Sequence, residues 1–432
     1  MRKIFYAFLV LAFLLSTFTA CKYNSVDGSS DTTTGPSVSN VDVWDGTVAF
    51  DFEDGSGTEA DPYEISKASQ LAFLARSVNE GTSYSGKYLV LANDIDLNNI
   101  EWTPIGNGIH SFMGNFDGNG HTIKNLKISQ SIHYTYEYPT GRKAPYCDIG
   151  LFATVQDATI QNMVIDGATI TIWDTKSACT HRVGVLCGTI RTYQNATIVS
   201  NIKIQNATIT TDFSANQRPL LLSIGGAIGH IYAYNNTTTT ISLVEINSDL
   251  SLEKGYGLSN YMGTILGSSG FIDSTFNMEN CAAYQLLSVS PEQYYYTFTN
   301  DFCGAIGNAQ ASAKPFTVKN IFSKYTLNKP ALESAMTVPS AITPHVIIGE
   351  AYYFASKDDP NAVGYKFENV FGCVEHEDTK NGEKKILTDL YVLPEGPNFS
   401  QINCHGCEAL PENHGFDANV WNLSDLAKPT LK

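Results

Sequence analysis

Six short apolar segments, each carrying a glycine, recur along the chain and constrain its fold more than any other feature. They are IGLFATV (149–155), VGVLCGTI (183–190), IGGAIGHI (224–231), MGTILGSS (262–269), CGAIGNA (303–309) and a degenerate IGEAYYF (348–354). Their first glycines, Gly150, Gly184, Gly225, Gly263, Gly304 and Gly349, are spaced by 34, 41, 38, 41 and 45 residues. Self-similarity at such a period marks a stacked-repeat architecture.

A second segment of the form apolar-x-Asn-x-x-apolar follows each glycine segment and appears once before the first. The set is IKNLKI (123–128), IQNMVI (160–165), VSNIKI (199–204), MENCAA (278–283), VKNIFS (318–323) and FENVFG (367–372), with ISLVEI (241–246) as a variant lacking Asn. Asn125, Asn162, Asn201, Asn280, Asn320 and Asn369 are therefore expected to share one slot. A third β-rich piece often follows, as in ATIT at 168–171 and again at 207–210. The segments are short, rich in Val, Ile, Thr and Phe, and bounded by Gly, Asn and Asp, so they read as strands. Three strands per repeat build a β-solenoid of roughly eight coils, each hydrogen-bonded to the next. Asn tolerates turn geometry and its amide can bond its own copies, so the Asn slot reads as a structural ladder at a corner. Ile149, Val183, Ile224, Met262, Cys303 and Ile348 precede the glycines, which makes Cys303 one member of an aliphatic column. Phe152, Leu186, Ile265 and Ile306 give the opposite face an apolar column too, so the inward face stays open at this level.

The amino-terminal part is different. Ser66 to Glu80 puts Ala68, Leu71, Ala72, Ala75 and Val78 on one stripe at helical spacing behind a capping-competent Ser. An amphipathic helix there would cover the first coil, whose open edge is otherwise an aggregation hazard. Residues 1–20 carry a basic start (Arg2, Lys3), an apolar run and a small-residue exit before Cys21, the layout of a secretory signal. Thr19-Ala20-Cys21 resembles the bacterial lipobox, with Phe18 where Leu is usual, which implies a lipid-anchored Cys21; Lys22 by the same resemblance implies the outer membrane. Residues 21–47 are dominated by Ser, Thr, Asp and Gly and read as a flexible stalk, leaving 48–432 as the β-helix domain.

Without Arg2 and Lys3 the chain has 25 basic against 43 acidic residues, a net charge of −18, which disfavours nucleic acid as a partner. Eight cysteines besides Cys21 are too few for a disulfide scaffold. Cys404-His405-Gly406-Cys407 has no second CxxC or His pair to complete a metal site, so it reads as a local disulfide or two thiols. No metal or cofactor is expected.

The segments DGSGTEADPYEI (54–65), KYLVLANDIDLNN (87–99), WTPIG (102–106) and FMGNFDGNGHTIKNLKI (112–128), with the Gly-Leu-Phe repeats, resemble the GLUG-motif β-helix proteins of bacterial surfaces. That region is also found beside the zinc peptidase of the IgA-protease family. FDANVWNLSDLAKPTLK (416–432) resembles the closing segment of such proteins. The resemblance implies a right-handed parallel β-helix on a secreted or surface-attached protein and carries no activity with it. The peptidase signature His-Glu-x-x-His is absent; His376-Glu377-Asp378 lacks the second His.

Parallel β-helices also include polysaccharide lyases and glycosidases, so an enzyme is weighed on its site. Asp94 and Asp96 share a strand face at a separation suited to paired carboxylates, but their place in the first coil also fits bonds to turn backbone. Asp117-Gly118-Asn119-Gly120 reads as a tight turn, because His121 and the missing closing Glu break the calcium-loop pattern. The aromatic inserts exceed structural need: Tyr134, Tyr136 and Tyr138; Tyr294, Tyr295 and Tyr296; Tyr352, Tyr353 and Phe354. They either pack over the coils or form a recognition surface for glycan or protein. The reading that follows is a lipid-anchored, non-catalytic binding or adhesion module. The alternatives are a β-helix carbohydrate-active enzyme and a structural envelope protein.

Overall fold

The computed structural model describes residues 41–129, 133–137, 143–173, 179–213, 220–254, 259–271, 274–289, 299–311, 314–327, 343–345, 348–353, 365–378, 383–387, 402–406 and 409–432. Three parallel sheets run along one axis. The long sheet stacks Asp94–Asp96, Thr122–Lys124, Thr159–Asp166, Thr197–Asp212, Thr238–Lys254, Thr275–Val289, Phe316–Leu327 and Tyr365–Asp378 in sequence order. The second stacks Phe152–Gln156, Cys187–Thr192, Ile228–Ala233, Leu266–Phe271, Ile306–Ala311 and Ile348–Tyr353. The third runs from Lys143–Ile149 through Thr180–Gly184, Leu221–Gly225, Ser259–Gly263 and Thr299–Cys303 to Thr343–His345. Each circuit visits the third, second and long sheets in turn, which defines a parallel β-helix.

Among the described residues six circuits carry strands on all three sheets, fewer than the eight coils expected. The first rungs are shorter. There, residues 104–112 meet the second sheet only through isolated bridges, Ile105 to Phe152 and Phe112 to Val155. Like stacks on like inside: Ile160, Val199, Ile241, Met278, Val318 and Phe367 pair in succession and are all buried. Both apolar columns of the glycine segments point inward, because the chain turns between them from the third sheet to the second. Ile149, Val183 and Ile224 lie before the turn and Phe152, Leu186 and Ile265 lie within or after it, all at most 1% exposed.

The register corrects the cysteine column. Met262 pairs with Phe302 and Gly263 with Cys303, so Cys303 follows the glycine column and not the aliphatic one. The second glycines stay in register, Gly267 opposite Gly307, while the first glycine of this segment lies three residues before the second instead of four, so Gly304 falls one place late; the Cys303 side chain lies outside the described residues. Cys147, Cys179, Cys187, Cys281 and Cys373 are buried, and burial pushes the Cys281 thiol up to about 12. The Cys404 side chain and Cys407 also lie outside the described residues.

The Asn ladder exists, with one member reassigned. Asn162, Asn201, Asn280, Asn320 and Asn369 occupy one corner of successive rungs in the left-handed region, φ 58, 52, 54, 53 and 53°. Non-glycine residues other than Asn and Asp seldom adopt it. Leu243, the variant residue, is forced into the same conformation at φ 55° between Asn201 and Asn280. Asn125 sits elsewhere: Lys124 pairs with Asp166 and Asp166 with Gln205, which puts Asn125 in the column of Gly167 and Asn206. The turn from Gly118 to His121 is two residues longer than the Asn162–Met163 corner, and this shifts the early rungs against the repeat.

The domain begins before residue 48. Val41–Val43 pairs with Asp94–Asp96, and Trp44 is 7% exposed with its ring edge-on to Trp102 at 5.6 Å. Residues 41–47 therefore belong to the solenoid and not to a stalk, because their alternating Val-x-Val-Trp pattern supplies an edge rung. The helix spans Ala68–Asn79, inside the expected 66–80. Its cap is not Ser66. Gln70 Oε1 accepts from Ser66 N at 2.9 Å and Lys67 N at 3.0 Å, and Asp42 Oδ2 accepts from Ala68 N at 2.6 Å. Leu71, Leu74, Ala75 and Val78 join the same core as the first rungs.

At the other end, residues 409–432 lie across the outside of the long sheet. The outward row beside the Asn corner reads Lys203, Glu245, Ala282, Phe322, Phe371 along successive rungs. It turns apolar where Leu410, Phe416 and Trp421 cover it, forming a second, smaller core. Leu431 N donates to Glu245 Oε2 at 2.8 Å, and Trp421 Nε1 donates to Asn280 Oδ1 at 3.4 Å.

Candidate binding site

The repeated glycines decide where the second and third sheets meet. A Cβ on Gly188 would lie 2.5 Å from Ile149 N, and one on Gly229 would lie 2.4 Å from Val183 N, so the two backbones approach closer than any side chain permits. The outer faces of the two sheets consequently close on each other and bury a polar column outside the apolar core.

Asp148 and Arg182 come from the third sheet, two residues before Gly150 and Gly184. Asp148 accepts from Thr189 Oγ1 at 2.8 Å, Tyr134 Oη at 2.8 Å and Thr154 Oγ1 at 3.3 Å, and pairs with Arg182 at 3.5 Å. Arg182 also donates to Tyr232 Oη at 2.8 Å, and its guanidinium lies 4.3 Å from the Tyr146 ring centre and 5.0 Å from that of Tyr232. Further along, Ser223 Oγ donates to Gly229 O at 2.8 Å, and His230 Nδ1 meets Ser268 Oγ at 2.6 Å. Burial, with Arg182 and Arg191 nearby, holds His230 well below the usual imidazole range.

Near the amino-terminal end the column opens into a pocket of about 430 Å³, lined by Pro104, Asn107, Ile109, His110, Tyr134 and Asp148 among others. The loop 104–110 supplies one wall. It is pinned by Asn107 Oδ1, which accepts from Ile109 N and His110 N at 2.9 Å each, and by His110 Nδ1, 2.8 Å from Asn79 O. The insert hairpin His133–Glu137 with Lys143–Ile149 supplies the other wall through Tyr134. The Tyr134 ring stacks on Tyr146 at 5.7 Å and lies so close over Gly108 that a Cβ there would sit 2.0 Å from it. Arg191 joins the two walls, donating to Gly108 O at 3.1 Å and Tyr134 Oη at 3.4 Å. Burial and the Asp148 carboxylate push the Tyr134 hydroxyl well above its ordinary range, so it stays protonated.

Tyr134 is thus a half-buried clasp with one edge on the pocket. The side chain of Tyr136 and the residues Tyr138, Tyr294, Tyr295 and Tyr296 lie outside the described residues, as does Cys21. The side chains of Tyr352 and Tyr353, and Phe354, do so too. Asp94 and Asp96 do not face each other across a free cleft: Asp94 Oδ1 accepts from Thr122 N at 3.0 Å beside His121 at 3.2 Å, and Asp96 Oδ1 accepts from Asn125 Nδ2 at 2.7 Å. Among the described residues no three His, Cys, Asp or Glu side chains are grouped to hold a metal ion. Asp148, Arg182, Arg191 and His230 escaped sequence reasoning. For Asp148 and Arg182 the signal was a charged residue in the outward slot two before the glycine, visible in CDIG and HRVG; Arg191 and His230, which follow the second glycine, carry no such mark.

The architecture and this outer groove define a parallel β-helix with a ligand-sized pocket between the solenoid and its first insert. No known protein family's profile matches the chain. Halomucin of Haloquadratum walsbyi is 28% identical over 199 residues, which span 44% of this chain and 2% of halomucin. A proposed immunoglobulin A1 protease of known structure from Bacteroides ovatus is 16% identical, with a TM-score of 0.47, over 88% of this chain and 95% of that one.

Proposed function

We propose that the chain is a non-catalytic binding module for a glycan or protein ligand, held outside the cell by a lipid on Cys21, and that it belongs with the GLUG-motif surface proteins. The observation that carries the binding reading is the pocket itself. The strand His133–Glu137 and the loop 104–110 lie outside the repeated three-strand circuits, yet they are held against each other by Tyr134, Gly108 and Arg191 beside a pocket of about 430 Å³. Concave sites of this size with a few converging polar groups are the usual form of a small-ligand site. The carboxylates best spaced for glycosidase chemistry are occupied in holding the Thr122 backbone amide and the Asn125 side chain, which favours binding over turnover.

Glycan and peptide arrays probed with the full chain test the reading, alongside depolymerisation assays. Ala153→Leu, which places a larger side chain on a pocket-lining position, should abolish binding at unchanged melting temperature. Binding untouched by that change would move the site elsewhere, and turnover lost with Asp94→Asn and Asp96→Asn at full stability would establish the enzyme instead. For the anchor, Cys21→Ala should be exported yet released from membranes by carbonate; full retention would remove the lipid.

A further inference from the structure

We propose that the amino-terminal end of the solenoid pairs with a second copy of the chain, the Phe50 ring of each copy entering the pocket beside Tyr134 of the other. This deepens the binding-module reading and rests on the pocket being a binding site. Among the described residues seven large hydrophobic side chains are exposed, and four of them, Val43, Val48, Phe50 and Ile109, lie at this end. Apolar exposure gathered in one place marks an interaction surface. Phe50 is 93% exposed although its neighbours are fixed: Ala49 N donates to Ser69 O at 2.9 Å, Arg76 Nη2 donates to Ala49 O at 2.7 Å, and the Phe52 ring stacks on Tyr63 at 5.0 Å. The backbone holds the ring out in solvent, and covering it would remove that apolar surface from water.

The pocket suits such an occupant. Its volume of about 430 Å³ is near the lower end for ligand sites, which span roughly 300–1,000 Å³. Pro104, Ile109 and Ala153 give it apolar walls, and Ile109 is itself 74% exposed. The one carboxylate that lines it, Asp148, is 4% exposed and accepts from Thr189, Tyr134 and Thr154 beside Arg182, so its charge is already met inside the protein. The Tyr134 ring is taken up too, stacked on Tyr146 and pressed against Gly108, which leaves no open aromatic platform for a sugar. Ring and pocket flank the same part of the helix Ala68–Asn79: Arg76 holds Ala49, and Asn79 lines the pocket. A two-fold axis through this end lets each copy give one ring and receive one, a self-complementary contact that closes at two copies. Two exchanged rings, at about 150–250 Å² each, fall short of the roughly 1,200 Å² of a stable interface, so the pair is weak and reversible in solution.

Sedimentation of the full chain over a concentration series tests it. Wild type should form a reversible dimer as its concentration rises. Phe50→Ser and Ile109→Asp, both at exposed positions, should each weaken dimerisation at least tenfold at unchanged melting temperature. Mixed in equal amounts, the two variants should associate more tightly than either alone. The Ile109→Asp chain still carries the ring and the Phe50→Ser chain still carries the pocket, whereas a general loss of surface hydrophobicity would give no such rescue. A wild type that stays monomeric up to its solubility limit, a dimer indifferent to Phe50→Ser, or a mixture no tighter than its components overturns the pairing. A glycan or foreign peptide that binds the monomer and is lost with Ala153→Leu would overturn the pairing and leave the binding module standing.

Discussion

Asn201 donates its side-chain amide to the Oδ1 of Asn162, one coil away, at 2.8 Å. The same bond joins Asn320 to Asn280 and Asn369 to Asn320, each at 3.0 Å, and Asn162 itself reaches the Asp117 carboxylate at 3.0 Å. Asn201 is exposed whereas Asn320 is buried, so the ladder passes from solvent into cover as it runs along the corner. Two effects therefore separate at each rung, the left-handed backbone and the amide bond.

Replacing Leu243 with Asn should stabilise the protein. A left-handed conformation costs a branched aliphatic residue about 1–2 kcal/mol, and the new amide could bridge Asn201 and Asn280. Denaturant unfolding should show a higher midpoint. Asn201→Gly should lose less than Asn201→Ala, since glycine keeps the backbone and forfeits only a bond of about 1 kcal/mol. A Leu243→Asn midpoint equal to or below wild type would show that packing of the leucine outweighs the backbone term.

Gly108→Ala should unseat the insert hairpin. A Cβ 2.0 Å from the Tyr134 ring cannot be accommodated without moving it, and moving it strips Asp148 and Arg191 of the Tyr134 hydroxyl. Losing a buried partner costs about 1–3 kcal/mol. Hydrogen exchange should rise in 133–137 and 143–149 while the carboxy-terminal rungs keep their protection. Unchanged exchange there would mean the clasp does not hold the hairpin.

Stability should fall as the pH drops below about 6.5, with His230 as one source. Its folded pKa is depressed, so in that range the unfolded chain binds a proton that the folded chain refuses, and stability is lost on acidification. The slope from one such group is about 1.4 kcal/mol per pH unit. His230→Asn, which suits a column containing Thr189, Ser268 and Asn308, should flatten the profile by that amount. The same slope in wild type and mutant would assign the acid sensitivity to other groups.

Trp421→Ala should cost about 3–5 kcal/mol, as for large buried aromatics generally, because Trp421 is 1% exposed among Phe371, Phe416 and Phe322. Intrinsic fluorescence together with limited proteolysis should show residues 409–432 released before the rungs beneath unfold. A loss below about 1 kcal/mol would show that the segment barely contributes.

The solenoid was legible because its repeats are its strands: glycine segments and Asn corners recur at the level of single residues. The exceptions have physical causes. Asn125 was misplaced because a longer turn shifts the early rungs, Cys303 because the glycines of its segment lie three residues apart instead of four, and the helix cap came from Asp42 and Gln70, side chains that sequence proximity to Ser66 hid. Phe322 and Phe371 sit on the solvent side of their strands and broke the expected alternation, which is the trace of the segment that covers them. The polar column was hidden for a different reason. Nothing in the spacing of Asp148, Arg182 and His230 announces that two outer faces converge; only the backbone approach at Gly188 and Gly229 makes them neighbours.

The residues that cover Phe322 and Phe371 are synthesised after them. During synthesis, and during any passage through a membrane, the rungs from Thr275 to Asp378 can stack while their apolar outer row is still bare. A chain stopped between Asp378 and Leu410 would therefore be a nearly complete solenoid with an adhesive stripe, prone to pairing with its own copies. Quality control that recognises exposed aromatics would detain such a chain until Phe416 and Trp421 arrived to cover that row.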